Sequence, residues 1–303
     1  RQWLYKLAIS SCEPFSEKPR NSWTPKERFI FLLYYLIVFR ALQNHLGLSR
    51  ARVLISGAAP ISPTLLRFFR TIGLPICEAF GMTETSALGF MQDKNNLISG
   101  TVGFPYPGVD AKLADDGELL LKGPMVFSGY YKNKAATEEA LKNNWLHTGD
   151  LAEIDQGQFK IVGRKKEIII TAGGKNLSPA ELENNLKISP YIKEVIICGD
   201  KRPYLSALIQ IDYENVAKWA ENKDIAFTNY KNLAENKNVS KLIDEQLIIA
   251  NDRVANVARV KKFIILSKEL DHDDDEMTAT QKVRRQNILK KYDNIINSIY
   301  HSE

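Results

Sequence analysis

The stretch FGMTETSALGF, residues 80–90, places three hydroxyl residues, Thr83, Thr85 and Ser86, and one carboxylate, Glu84, between Gly81 and Gly89. Main-chain amides in a glycine-containing turn bind anionic oxygens, and threonine hydroxyls add donors. A single glutamate is enough for a magnesium ion that keeps its waters and phosphate oxygens. The stretch therefore has the parts for a phosphate and its metal. The competing reading is a polar surface turn, which the stretch alone does not exclude.

Three further constellations carry chemistry. In WLHTGD, residues 145–150, Asp150 follows Thr-Gly at an expected strand start. A carboxylate there is suited to the paired hydroxyls of a ribose, and a capped β-turn is the alternative. In GRKKEIIITAGGKNLSPAELE, residues 163–183, bases surround an apolar strand, and Gly173-Gly174 opens a loop. Arg164 could meet the phosphate or ribose end of a nucleotide, against the alternative of a solvated edge strand guarded by lysines. In MTATQKVRR, residues 277–285, Lys282 sits in a polar turn after the acidic run Asp271 to Glu276. A lysine there is ordinarily solvated, but a reaction that builds negative charge on an acyl phosphate needs a movable cation.

The elements that must position these groups follow from the pattern. Residues 1–48 read as helical, with a proline-broken loop from Glu13 to Pro25. RVLISGAAP reads as a strand ending in Gly57 and Pro60, SPTLLRFFRTIG as a helix that Ser62 can cap, and LPICEAF as the next strand. Strand–helix–strand is the α/β pattern, whose ligands bind beyond the carboxyl ends of the strands. Residues 98–162 read as a small β-rich subdomain. It has turns at Asp116-Gly117 and Gln156-Gly157 and a short helix near Ala135–Leu141. Beyond it, Ser178, Pro179 and Glu181 suggest a capping box. Strands EVIICGD, LSALIQI and KKFIIL follow, with helices near 239–250 and from Val283 to Ile299.

Composition bounds the class. The chain has 303 residues, 44% apolar and 25% charged, as an ordinary globular protein of about two domains has. A net charge of +5 from 41 bases and 36 acids is too mild to point to nucleic acid. Three cysteines without paired spacing predict neither a disulfide framework nor a zinc site, and fit a reducing, cytoplasmic compartment. The apolar run Phe29–Phe39 is too short to span a bilayer, which needs about 20 residues, and predicts a buried or interfacial helix. No signal peptide is evident. The run DHDDDE predicts a hydrated acidic loop rather than a metal site. The basic tail KVRRQNILKKY is read first as a solvated helix face and second as peripheral contact with an anionic membrane.

In order and spacing the four constellations resemble the later core motifs of the adenylate-forming enzymes, together with SGAAP, GTVGFPYPGV and GELLLKGPMVFSGYYKN. Within that superfamily, GRKKEIIITAGGKNLSP and the MTATQKVRR ending look like long-chain fatty acyl-CoA synthetases. The resemblance implies a carboxyl-terminal part of a large α/β domain with its β-rich subdomain (residues 1–165), then a small mobile α+β domain (residues 166–303). It implies ATP, Mg2+, coenzyme A and a fatty acid as cofactor and substrates. By the same resemblance Gly57, Ala58 and Ala59 line an adenine pocket, Phe80 stacks near the base, and Gly81 belongs to the nucleotide loop. Thr83 contacts phosphate and Glu84 holds magnesium. Asp150 takes the ribose hydroxyls and Arg164 supports the nucleotide. Lys282 bridges carboxylate and α-phosphate, Lys166 is the hinge, and Gly173-Gly174 faces the pantetheine arm.

Three departures are noted. Ala79 stands where glycine is common, Phe80 where tyrosine is common, and Gln281 where many relatives have glycine. The family's upstream phosphate loop, rich in Ser, Thr and Gly, has no counterpart here, so the chain is expected to be a carboxyl-terminal portion. A carrier-loading adenylation domain and a non-catalytic remnant are the rival readings.

Overall fold

The computed structural model describes residues 2–59, 61–279 and 281–301. Pro60 of SGAAP and Thr280 of MTATQKVRR lie outside the described residues. The chain divides into two compact units, Arg1–Lys165 and Lys166–Glu303, each taken by itself. Among the described residues no helix is long and apolar enough to cross a membrane.

The first unit opens on α1 (Gln2–Ser16), α2 (Pro25–Tyr34) and α3 (Arg40–His45), with a π-turn over Tyr35–Phe39 joining the last two. Thr24 and Glu27 cap α2 reciprocally, side chain to backbone amide, and Pro25 supplies a preset first turn. Pro14 does not end α1, which runs on to Ser16, against the break expected near Glu13. Phe15 packs edge-on against Trp23 at 4.9 Å, beside buried Ala8 and Cys12. That packing compensates for the amide proline lacks. Of the run 29–39 only Phe39 is fully buried, while Phe29, Leu32, Leu33, Leu36 and Ile37 are exposed.

β1 (Ile55–Ser56) pairs in parallel with β2 (Cys77–Phe80), and α4 (Pro63–Thr71) makes the crossover. β3 (Phe90–Met91) and β4 (Phe104–Pro105) extend the sheet antiparallel. Ser62 does not cap α4. The Leu65 amide donates to the Ser62 carbonyl at 3.0 Å, and the Ser62 hydroxyl is buried without a partner.

The β-rich part comprises β5 (Asp110–Leu113), β6 (Glu118–Lys122), α5 (Lys134–Ala140), β7 (Leu141–Lys142), β8 (Trp145–Asp155) and β9 (Gln158–Arg164). The sheet order is β5-β6-β8-β7, with β9 also on β8. Gln156 and Gly157, at φ +49° and +83°, form the two-residue turn that matches strand twist. Leu119, Leu121 and Leu146 bury against Phe90, which ties this sheet to the β2–β3 hairpin.

The second unit contains the hairpin β10 (Ile169–Ile170) and β11 (Asn176–Leu177), then α6 (Pro179–Leu186). Its main sheet is β12 (Ile192–Cys198), β13 (Leu205–Ile211) and β14 (Val260–Ile265), with β13 antiparallel to β12 and parallel to β14. β13 is buried on both faces, so its polar members need partners: the Ser206 hydroxyl lies 2.8 Å from that of Tyr300. α7 (Tyr213–Glu221), α8 (Tyr230–Ala234) and α9 (Lys237–Asn251) lie between β13 and β14. The capping box expected at Ser178 is not formed. Its hydroxyl is buried and makes no bond to the helix, and Pro179 alone presets the first turn. The single last helix expected from Val283 to Ile299 is two, α10 (Arg285–Lys291) and α11 (Asp293–His301). They part at Tyr292, whose hydroxyl donates to buried Glu276 at 2.9 Å, and the bend lets Ile288 and Ile296 share one core.

Candidate active site

Gly57, Ala58 and Ala59 leave the carboxyl end of β1. A Cβ on Gly57 would sit 2.9 Å from the Ala79 carbonyl of β2, and Ala58 holds φ +68°, so the segment turns sharply against the neighbouring strand. Beside it, Phe80 ends β2 and Gly81 begins the hydroxyl-rich loop. A side chain at Gly81 would strike the Ala87 carbonyl at 2.2 Å, because the loop folds back on itself. The Ala87 amide donates to Met82 at 2.9 Å and Leu88 to Thr85 at 2.9 Å. Thr85 is buried within this turn, while Thr83 is exposed. The stretch is thus an ordered turn at the carboxyl end of a strand, with Thr83 and Glu84 at its outside.

Glu84 is fixed twice. Its carbonyl accepts from the Phe127 amide at 2.8 Å, and its Oε1 accepts from the Tyr130 hydroxyl at 2.7 Å. Burial, then the Glu84 carboxylate, push the Tyr130 phenol up to about 12, with Arg164 near enough to oppose them. Tyr130 therefore stays a donor at neutral pH. Among the described residues no group of three or more His, Cys, Asp or Glu side chains could hold a metal. Glu84 keeps Oε2 beyond its bond to Tyr130. That fits a magnesium ion held by one carboxylate together with phosphate and water oxygens.

Asp150 lies inside β8 rather than at a strand start, opposite Arg164 of β9 in register. It is buried, and Arg164 Nε reaches its Oδ1 at 2.8 Å. Behind this pair stands Glu118, also buried. Its Oε1 accepts from the Gly149 amide at 3.0 Å, and its Oε2 meets Lys165 Nζ at 3.1 Å and His147 Nδ1 at 3.4 Å. Burial would raise the Glu118 carboxyl, but the Gly149 amide, Lys165 and His147 outweigh it and hold it below the usual range. The first unit therefore joins Glu84 to Tyr130 and Asp150 to Arg164, with Arg164 close enough to Tyr130 to oppose the shift of its phenol. The sequence reading gave no role to Tyr130, Glu118 or Lys165. A glutamate that opens the apolar strand ELLLK straight after a turn was the available signal.

The remaining residues lie in the second unit or at its start. Lys166 is its first residue. Gly173 and Gly174 form the exposed tip of the β10–β11 hairpin, where the Gly174 amide donates to Thr171 at 2.8 Å. Loop 199–202 braces this hairpin through the Lys201 amide to Ile170, 2.9 Å. Lys282 is exposed on a second hairpin. Met277 pairs with Val283, the Thr278 amide donates to the Lys282 carbonyl at 2.7 Å, and the Lys282 amide to Thr278 Oγ1 at 2.9 Å. Gln281 takes φ +58°, the conformation that glycine adopts without strain.

Both ends of that hairpin are anchored. At one end, residues 271–275 of DHDDDE are exposed as expected, but Glu276 is fully buried and receives Lys291 at 2.9 Å, Lys268 at 3.3 Å and the Asp271 amide at 3.0 Å. At the other end Arg285, also buried, ion-pairs with Glu183 and donates to the Ile197 carbonyl at 3.0 Å. Much of the basic tail is thereby engaged within the unit: Arg284 with Asp275, Arg285 with Glu183, and Lys291 with Glu276.

Comparison with known proteins follows the same segments. The profile of the AMP-binding enzyme family matches residues 22–131, and that of the AMP-binding enzyme C-terminal domain matches residues 166–303. The long-chain-fatty-acid–CoA ligase FadD15 of Mycobacterium tuberculosis is 41% identical over 269 residues, 88% of this chain and 45% of the relative. The human long-chain-fatty-acid–CoA ligase 1 is 33% identical over 285 residues, 88% of this chain and 40% of the relative. The chain thus spans less than half the length of these relatives. Among solved structures, the adenylation domain of a carboxylate reductase from Mycobacterium chelonae aligns with a TM-score of 0.70 at 19% identity, over 98% of this chain and 45% of that one. The o-succinylbenzoate coenzyme A synthetase of Bacillus subtilis, in complex with ATP and magnesium, aligns with a TM-score of 0.59 at 25% identity, over 78% and 46%.

Proposed function

The chain belongs to the AMP-binding enzyme family, and we propose that it is the carboxyl-terminal part of a long-chain fatty acid–CoA ligase. The observation that carries this reading is its 41% identity, across 88% of its length, to a ligase named for that reaction. The arrangement of the first unit supports it, with Tyr130 bonded to Glu84 and Arg164 paired with Asp150.

In the proposed reaction a fatty-acid carboxylate oxygen attacks the α-phosphorus of ATP and pyrophosphate leaves. The coenzyme A thiolate sulfur then attacks the acyl carbon and AMP leaves. Asp150 accepts the ribose hydroxyls, and Arg164 holds that carboxylate in place. The sharp turn at Gly57–Ala59 and the ring of Phe80 bound the base, and Gly81 lets the loop close against it. Thr83 donates to phosphate. Glu84, oriented by Tyr130, would hold magnesium, which when bound neutralises phosphate charge. Lys282 offsets the charge that develops on the reacting oxygens, where a cation lowers the barrier most. The Gly173-Gly174 turn, with no side chains to obstruct it, admits the pantetheine arm of coenzyme A. Lys166 is the residue at which the dihedral change between the two half-reactions is taken up.

The test is fatty-acid-dependent ATP–pyrophosphate exchange by the whole enzyme that contains this chain, with palmitate and acetate as alternative acids. The proposal expects exchange with palmitate in excess of acetate. It also expects Lys282→Ala to abolish exchange while sparing thioester formation from supplied acyl-adenylate. Equal loss of both half-reactions would remove the role given to Lys282, and exchange with acetate alone would remove the substrate class.

A further inference from the structure

Glu118 occupies a place that the two half-reactions do not account for. It is a carboxylate buried at the start of β6, and both of its oxygens are used. One accepts the amide of Gly149, the residue before Asp150. The other accepts the ammonium of Lys165, the residue after Arg164 and the last of the first unit. The Asp150–Arg164 ion pair runs beside this bridge, one residue along on each strand. Asp116 adds to one side only. Its Oδ2 pairs with Lys165, while its Oδ1 accepts the Glu118 amide at 3.1 Å.

The consequences follow from charge and geometry. Gly149 has φ +70°, a conformation that glycine adopts without strain, and the amide that Glu118 accepts lies in the peptide that enters this turn, directly before Asp150. A charged acceptor holds an amide about twice as strongly as a neutral one. Lys165 brings the compensating positive charge, without which a buried carboxylate would be costly. Glu118 thus makes the orientation of the Thr148–Gly149 peptide and the seating of Lys165 depend on one side chain, and the Asp150 amide in turn donates to Thr148 Oγ1 at 3.1 Å.

We infer that Glu118 is a positioning residue that sets the Asp150 carboxylate for the ribose hydroxyls and clamps Lys165, so that the chain stays fixed to the first unit up to its last residue. This rests on the reading of Asp150 as the ribose acceptor. The clamp on Lys165 stands without it.

The test uses the 303-residue chain and the variants Glu118→Gln and Asp116→Asn. Affinity is measured by calorimetry for AMP and for 2′-deoxy-AMP. Trypsin cleavage after Lys165 is followed by mass spectrometry without nucleotide. Glu118→Gln is expected to lower the AMP over deoxy-AMP preference at least threefold and to speed cleavage after Lys165 severalfold. Asp116→Asn is expected to speed cleavage while leaving the ribose preference unchanged, which separates the two arms of the bridge. An equal loss of affinity for both nucleotides in Glu118→Gln, with cleavage unchanged, would reduce Glu118 to general support and overturn the inference. If the unaltered chain shows no ribose preference, the reading of Asp150 fails instead. Unchanged cleavage in Glu118→Gln would then still overturn the clamp. Far-ultraviolet circular dichroism confirms folding, and Glu118→Asp, too short to span both partners, serves as a second variant expected to act as Glu118→Gln does.

Discussion

Replacing Arg285 with methionine removes the cation that anchors the Lys282 hairpin to the second unit. Arg285 is 9% exposed and donates to the Ile197 carbonyl at 3.0 Å. It also ion-pairs with Glu183 and lies 3.7 Å from Glu167. Glu183, itself 9% exposed, would keep only the Ile197 amide, at 2.7 Å. Burial already pushes the Glu183 carboxyl up, and Arg285, that amide and, last, Lys187 oppose it. Removing one partner of a buried ion pair costs about 3–5 kcal/mol, because the other charge is left in a poor dielectric. For a unit of roughly 140 residues, each kcal/mol moves the melting midpoint by roughly 3–4 °C, so the second unit should melt roughly 10–20 °C lower. Differential scanning calorimetry of the 303-residue chain reads this directly. The double variant Arg285→Met, Glu183→Gln should recover at least half of the loss, since a neutral amide still accepts from Ile197 and no charge is stranded. A single-variant cost below about 1 kcal/mol, or a double variant no better than the single, would refute the reasoning.

Two further outcomes follow from the same structure. Gln281→Gly removes a side chain from φ +58° and should raise stability by about 0.5–1 kcal/mol in urea unfolding, the relief of left-handed strain less the entropy glycine adds to the unfolded chain; a lower midpoint would contradict it. Glu78 is buried in β2, and burial pushes its carboxyl up to about 7, with the Gly100 amide and Arg70 opposing. The folded state therefore binds the proton more tightly than the unfolded one. Stability from this group is complete below about pH 4.5 and is lost as pH rises towards 7, a change on the order of 3 kcal/mol. Glu78→Gln should remove that dependence and stabilise the chain at pH 8. Parallel pH profiles for the two proteins would show that Glu78 is not the group.

The parts of the fold set by local pattern were legible. The β1–α4–β2 crossover, the Asp116-Gly117 and Gln156-Gly157 turns and the strands of the second sheet follow from alternation and glycine placement. What failed was decided by long-range packing. Pro14 stays helical because Phe15 meets Trp23. Ser62 and Ser178 do not cap because their hydroxyls are buried away from the helix amides. The last helix bends because Tyr292 reaches a buried Glu276. For the site, residue types in order suggested Glu84, Asp150 and Arg164, and the structure pairs Asp150 with Arg164 and Glu84 with Tyr130. The groups that orient them come from strands and turns distant in sequence: Tyr130 is 46 residues from Glu84, and Glu118 is 31 from Gly149. No local pattern reports such pairings.

The proposed nucleotide site is built from the first unit's own residues. Isothermal titration of AMP into the 303-residue chain tests that most directly, beside Asp150→Asn. Binding is expected, weakened at least tenfold by Asp150→Asn through the loss of a charged acceptor worth about 1.5–3 kcal/mol. A folded chain that takes up no AMP, or binds it equally well with asparagine at position 150, would contradict it.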